Sequence, residues 1–281
     1  MWHLDGHVAR GYVYPCVEAR GRRVMRAAST DKSLQNTLDW ALSRMREKGY
    51  VVRSKVTLNV EPQLAIMGYA KKEGEIHKIM ISEWALDSEM LGGLVLHELS
   101  HVYFTERGAS SHDSRVLEEV LGGLKDKDGL RDKETELLVD AFNHLQNVLV
   151  DDVVFDVMEE KERSMTKRFF AEWISDRPSG DPVTDAGLLC RNAFAVASLK
   201  RRKLADWTVR GSHDDSEMYY RNKSLVDALG HHADEEFDWL EGFLEKSKAD
   251  LDEPTFRSSL EAYFDRILSI MRSSSKLDDL R

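Results

Sequence analysis

Residues 31–48 place Leu34, Leu38, Ala41, Leu42 and Met45 on one helical face, and Gly49 follows where a helix stop belongs. The period then changes to two. Val56, Leu58 and Val60 alternate with Thr57 and Asn59, predicting a strand; 64–70 is a second strand, and Ile79 and Ile81 mark a third over 75–82. A helix is expected over 87–106, started by Asp87 or Ser88 and stopped by Gly108. The charged run KDKDGLRDK (125–133) separates it from a long helix, 134–160. That helix is apolar nearly all round, from Leu137 and Leu138 to Val153, Val154 and Phe155, as a central buried helix is. Amphipathic stretches near 188–203, 217–229, 233–247 and 254–273 predict further helices. The expected fold is therefore α+β and helix-rich, a small sheet packed on helices with an all-helical C-terminal part. The segment SDRPSGDPVTDAG (175–187) holds two of the five prolines, which sets the expected domains at 1–174 and 175–281.

Composition narrows the function classes. With 40 Lys+Arg against 50 Asp+Glu, the formal net charge of −10 argues against a dedicated nucleic-acid binder. No apolar run approaches the ~20 residues needed to cross a bilayer, so no membrane partner is expected. Two cysteines, Cys16 and Cys190, cannot build a disulfide scaffold, and the N-terminus lacks the pattern of a secretory signal. The reading is a soluble, cytoplasmic globular protein.

The chemistry is concentrated in Leu94-Val95-Leu96-His97-Glu98-Leu99-Ser100-His101-Val102-Tyr103, an H-E-x-x-H on an expected helix. Histidines four apart project from one face, one turn displaced, so both imidazoles can reach one metal ion. Zinc suits imidazole nitrogens and keeps an open position for water in catalytic sites. Glu98 follows the first ligand directly, placed to take a proton from water and pass it to a leaving amine. From 10 histidines in 281 residues the bare pattern arises by chance about 0.03 times per chain. The bland alternative, two surface histidines and a glutamate, conflicts with the apolar flanks on both sides.

Over roughly 31–160 the chain resembles the zincin metallopeptidases, with helix, short strands, an HExxH helix and a second helix able to carry a third ligand. The resemblance implies that His97 and His101 are zinc ligands, that Glu98 is the general base and acid, and that a peptide or protein is the substrate. It also implies that the strand before the HExxH helix binds extended substrate at its edge, which would make His77, Ile79 and Ile81 substrate-binding. The metzincin branch wants Gly and His where this chain has Phe104 and Arg107, and the cysteine ligand of a deformylase has no match nearer than Cys16. What remains is similar to the gluzincin branch, as in soluble minigluzincins, where a downstream carboxylate completes the site.

Two places on the long helix compete for that role. Glu136 and Asp140 match an E-x-x-x-D pattern, and Asn147 and Asp151 match a related N-x-x-x-D. Residues 136, 140, 144, 147 and 151 step by four and three, forming one polar row on an apolar helix. Asp151 lies in the most apolar stretch, VLVDDVVF, where a carboxylate most needs a cation. It is favoured, with Asn147 or His144 beside it; Glu136 competes, although the helix dipole alone explains an acid near a helix start.

Other signals carry bland readings. His231-His232 and Tyr219-Tyr220 could donate protons but fit a loop and packing. His112-Asp113 fits a helix cap, and the clusters Arg20, Arg22, Arg23, Arg26 and 200–203 fit solvated faces. Cys16 could block a zinc ion as a latency thiolate. Two alternatives to a peptidase stay open: a zinc-holding structural or interaction module without proteolysis, and a zinc hydrolase of small non-peptide amides.

Overall fold

The computed structural model describes residues 27–205, 213–230 and 232–278. These divide into two compact units, one reaching Gly108 and taking back 153–162, the other holding 109–152 and 163 onward. The division falls at Gly108 rather than in the proline-bearing stretch after 174. That stretch lies inside the second unit, tied down where the Ser175 amide donates to Asn192 Oδ1 and Asn192 Nδ2 donates back to the Ser175 carbonyl.

The first unit begins with α1 (Ala27–Glu47), whose Leu34, Leu38, Ala41 and Met45 form the buried face read from the sequence. Gly49 ends it at φ +88°, a left-handed turn that glycine accommodates without a Cβ clash, and the Tyr50 amide returns to the Met45 carbonyl. Three strands follow: β1 (Lys55–Glu61), β2 (Gly68–Glu73) and β3 (Ile76–Ser82). Their spatial order is β1-β3-β2, with β1 parallel and β2 antiparallel to β3. A two-residue hairpin joins β2 to β3, and Gly74 takes the positive φ it needs.

The order corrects one expectation. The strand over 75–82 is not an edge: β3 is the centre of the sheet, paired on both sides. His77, Ile79 and Ile81 share its buried face, so they are core residues rather than a peptide-binding border. The free edges belong to β1 and β2.

A 3-10 turn (Glu83–Asp87) leads to α2 (Leu91–Glu106). Ser88 Oγ accepts from the Met90 amide at its start, and Gly108, at φ +65°, lies just beyond its end. Every residue from Gly93 to Val102 is buried, so α2 is the core helix of this unit. It packs on α1 and β2, and Gly92 lets the Trp40 ring come close: a Cβ there would meet it at 3.1 Å. The returning segment is fastened to α1, with Arg44 donating to the Val157 carbonyl and to Glu159.

The second unit is helical. α3 (Ser114–Asp128) starts at the Asp113 cap read from the sequence, though its extent was not predicted, and α5 (Glu160–Trp173, shared with the first unit at its start) was not expected. α4 (Asp132–Val157) is the long helix, and its last turn belongs to the first unit. α6 (Pro182–Arg201) starts inside the expected linker, with Pro182 at its first position and Asp181 accepting from the Thr184 amide. α7 (His213–Leu229), α8 (Ala233–Lys246) and α9 (Glu253–Asp278) follow. α6 is the centre of the unit, packed on α7, α8 and α9, which its run of small buried residues (Ala186, Ala193, Ala195, Ala197) permits. The architecture is thus helix-rich α+β with a mixed three-stranded sheet. Among the described residues no helix is long and apolar enough to cross a membrane.

Candidate metal centre

α2 carries His97, Glu98 and His101 into the interior at 2%, 0% and 3% exposure. The helix forms there because Leu94, Val95, Leu96, Leu99 and Val102 surround the polar residues with apolar surface, and Ser100 and Thr105 return their hydroxyls to the Leu96 and His101 carbonyls. The expected one-turn displacement holds. His97 Nε2 and His101 Nε2 stand 3.2 Å apart, with ring centroids at 4.8 Å and ring planes 76° apart. Two imidazole nitrogens sharing one tetrahedral cation at Zn–N distances of about 2.0–2.1 Å stand roughly 3.3 Å apart, so this pair fits. Among the described residues no group of three His, Cys, Asp or Glu side chains forms a metal-holding cluster.

Glu98 projects beside the pair into full burial. Neither carboxylate oxygen makes a hydrogen bond of normal geometry. Burial pushes its pKa up to about 8, opposed by the Ala70 backbone amide of β2, which favours the charged form. Buried polar groups are normally well satisfied, so an interior carboxyl with only this one weak amide contact is a stability cost that function can explain. His77, on β3, is held below the usual histidine range by burial, with the Glu106 carboxylate pulling the other way.

The polar row on α4 is not uniformly buried. Glu136 and Asp140 are exposed, which suits the helix-dipole account of Glu136 better than a ligand role. His144 is half-buried, stacked on Phe194 with ring centroids 5.0 Å apart. Asn147 and Asp151 are buried, and Asp151 Oδ2 accepts from Ser198 Oγ at 3.0 Å. The next residue, Asp152, pairs with Arg201 and Arg202, so part of the 200–203 cluster is structural rather than a solvated face; Lys200 likewise pairs with Glu241. Ser198 gave no signal in the sequence, where it stands in an ordinary helical run. Ala70 was hidden too, because its role depends on which strand borders the sheet. His112-Asp113 forms the expected cap, with Asp113 accepting from the Arg115 amide. Cys16, the Arg20–Arg26 cluster and His231 lie outside the described residues.

A protein-family model described as "Family of unknown function (DUF5781)" matches residues 41–226. The chain belongs to this family. The matched region of this DUF5781 member spans the sheet, the H-E-x-x-H helix and α4 through α6. No curated protein and no solved structure matches the chain.

Proposed function

We propose that this DUF5781 chain is a zinc-dependent peptidase built on a zincin-like arrangement. The observation that carries the proposal is the 3.2 Å approach of His97 Nε2 and His101 Nε2 beside the wholly buried Glu98. His97 and His101 would hold the metal. When bound, zinc supplies Lewis-acid polarisation of a carbonyl and acidifies water. Glu98 accepts a proton on a carboxylate oxygen as water attacks the peptide carbon, then passes it to the departing amine nitrogen as the C–N bond breaks. The apolar wall around Glu98 raises the affinity of its carboxylate for that proton. Of the two sheet borders, β2 packs on α2, so an extended substrate would add along the outer edge of β2. Asp151 as third donor rests on the sequence pattern alone.

The test is Glu98→Gln in the full chain, assayed for zinc content and for cleavage of a mixed fluorogenic peptide library. The variant keeps its zinc and loses about 10²–10⁴-fold in rate. A zinc-loaded variant that cleaves at the wild-type rate, or a zinc-loaded wild type that cleaves no peptide, overturns the reading.

A further inference from the structure

The second unit carries a groove of about 530 Å³ between α8, the turn after it and the first turns of α9, with Leu145 of α4 also lining it. That volume falls within the roughly 300–1,000 Å³ of small-molecule sites. Leu145 and Phe256 of the lining are buried, whereas Trp239, Phe243 and Leu251 keep part of their surface in water. Apolar surface gathered in a concave wall and left wet is a cost that an apolar occupant removes.

The wall is pre-formed. Trp239 and Phe243, one turn apart on α8, stack with ring centroids 5.3 Å apart and planes at 14°. Phe243 stacks in turn on the fully buried Tyr263 of α9 at 4.6 Å. Arg201 donates to the Glu245 and Ser247 carbonyls, both at 2.6 Å, and Ser110 Oγ donates to the Leu251 carbonyl, so the turn between the two helices is tied at both ends. Gly242 leaves the α8 side open: within 4 Å a Cβ there would meet only Lys246 Nζ, at 3.9 Å.

Charge is spread unevenly along this groove. Asp238, Gly242 and Lys246 follow one another at four-residue intervals on one face of α8, a span of about 12 Å. The Asp238 carboxylate stands at one end, and Lys246 and Lys248 at the other. All three charged residues are exposed, and among the described residues none of them makes an ion pair. The closeness of Lys246 Nζ to Gly242 shows that its ammonium lies back over the groove. Lysines near a helix end often serve its last carbonyls, but here Arg201 already holds them. An anionic head is therefore drawn to the lysine end and repelled from the Asp238 end.

We infer that the groove binds a medium-chain fatty acid, with its carboxylate at Lys246 and Lys248 and its chain running past Gly242 over Phe243 and Trp239. Carbon–carbon bonds of about 1.5 Å at roughly 111° advance about 1.25 Å each, so a chain of about ten carbons matches the distance from Lys246 to Asp238. The site uses none of the α2 residues and stands whether or not they hold metal.

The full chain is titrated by calorimetry with sodium decanoate, sodium butyrate, decanol and decylammonium chloride, and the methyl signals of Leu145 and Leu251 are followed alongside. Decanoate binds saturably and shifts both sets of signals, and butyrate does not bind. Decanol and decylammonium bind about fivefold more weakly than decanoate, or worse. Gly242→Leu, a better helix former whose side chain enters the groove, keeps the fold and weakens decanoate about tenfold or more. The double variant Lys246→Glu, Lys248→Glu, changed only at exposed positions, weakens decanoate about fivefold or more and leaves decanol binding as it was. Absence of saturable decanoate binding, decanol or decylammonium binding as tight as decanoate, or unchanged decanoate affinity in either folded variant overturns the assignment. So does a dimer in sedimentation that Gly242→Leu disperses, which would give the groove to a second copy of the chain.

Discussion

His97 Nε2 and His101 Nε2 face each other at 3.2 Å across one turn of α2, in an environment with almost no access to water. Such a pair is either a hydrogen bond, with one nitrogen protonated and the other accepting, or two donors aimed at one cation. The hydrogen bond alone needs no neighbouring acid. Glu98 is the feature it leaves unexplained, since the cost of burying this carboxyl outweighs its one contact, the Ala70 amide.

Removing that carboxyl should therefore strengthen the fold. Glu98→Met, close in volume and without oxygen atoms, is expected to raise unfolding stability by about 1–3 kcal/mol in urea denaturation, because it deletes a buried polar group rather than a bond. A destabilised Glu98→Met would mean that the Ala70 amide contributes more than burial of the carboxyl costs.

Glu106 is the opposite case. It accepts the Arg53 and Ser54 amides, both at 2.8 Å, and so pins the entry to β1 against the end of α2. Burial raises its pKa, but these amides, the Ser54 hydroxyl and His77 outweigh it and bring it below the usual range. A depressed folded-state pKa means the contribution is complete above the ordinary glutamate value and disappears as pH falls through the folded one. Glu106→Ala should cost about 1–3 kcal/mol at neutral pH, by urea denaturation. The gap to wild type should narrow as pH falls below the ordinary glutamate range.

Gly68 opens β2 where the strand passes closest to its neighbours. A Cβ at this position would lie 3.0 Å from the Met80 carbonyl oxygen and 3.3 Å from Ile81 Cγ2. The carbonyl belongs to the central strand and cannot rotate away. Gly68→Val is expected to lower stability by about 1–3 kcal/mol. The thermal midpoint checks this, and an unchanged midpoint would show that β2 shifts freely.

The histidine spacing, the buried face of α1 and the alternation in β3 were legible because each depends only on local periodicity. The position of β3 was not. Alternation of Ile79 and Ile81 marks a half-buried strand but says nothing about which strand lies between two others, and the Gly74 hairpin puts β2 at the border instead. The extent of α3, of which only the cap was read, and the whole of α5 were missed because they bury little: α3 turns Val116, Leu117, Val120 and Leu124 inward, and α5 only Thr166, Phe170 and Trp173, each amid many charges. The evenly spaced polar row on α4 also misled, since spacing fixes a face but burial changes along it, from exposed Glu136 to buried Asp151.

The central claim is that the two α2 imidazoles hold zinc, and metal analysis of purified full-length protein tests it most directly. Wild type is expected to carry a single zinc ion per chain, and His97→Ala, refolded and compared by circular dichroism, is expected to carry essentially none. A wild type that takes up no zinc when supplied with it, or a folded His97→Ala that binds as much as wild type, contradicts the account.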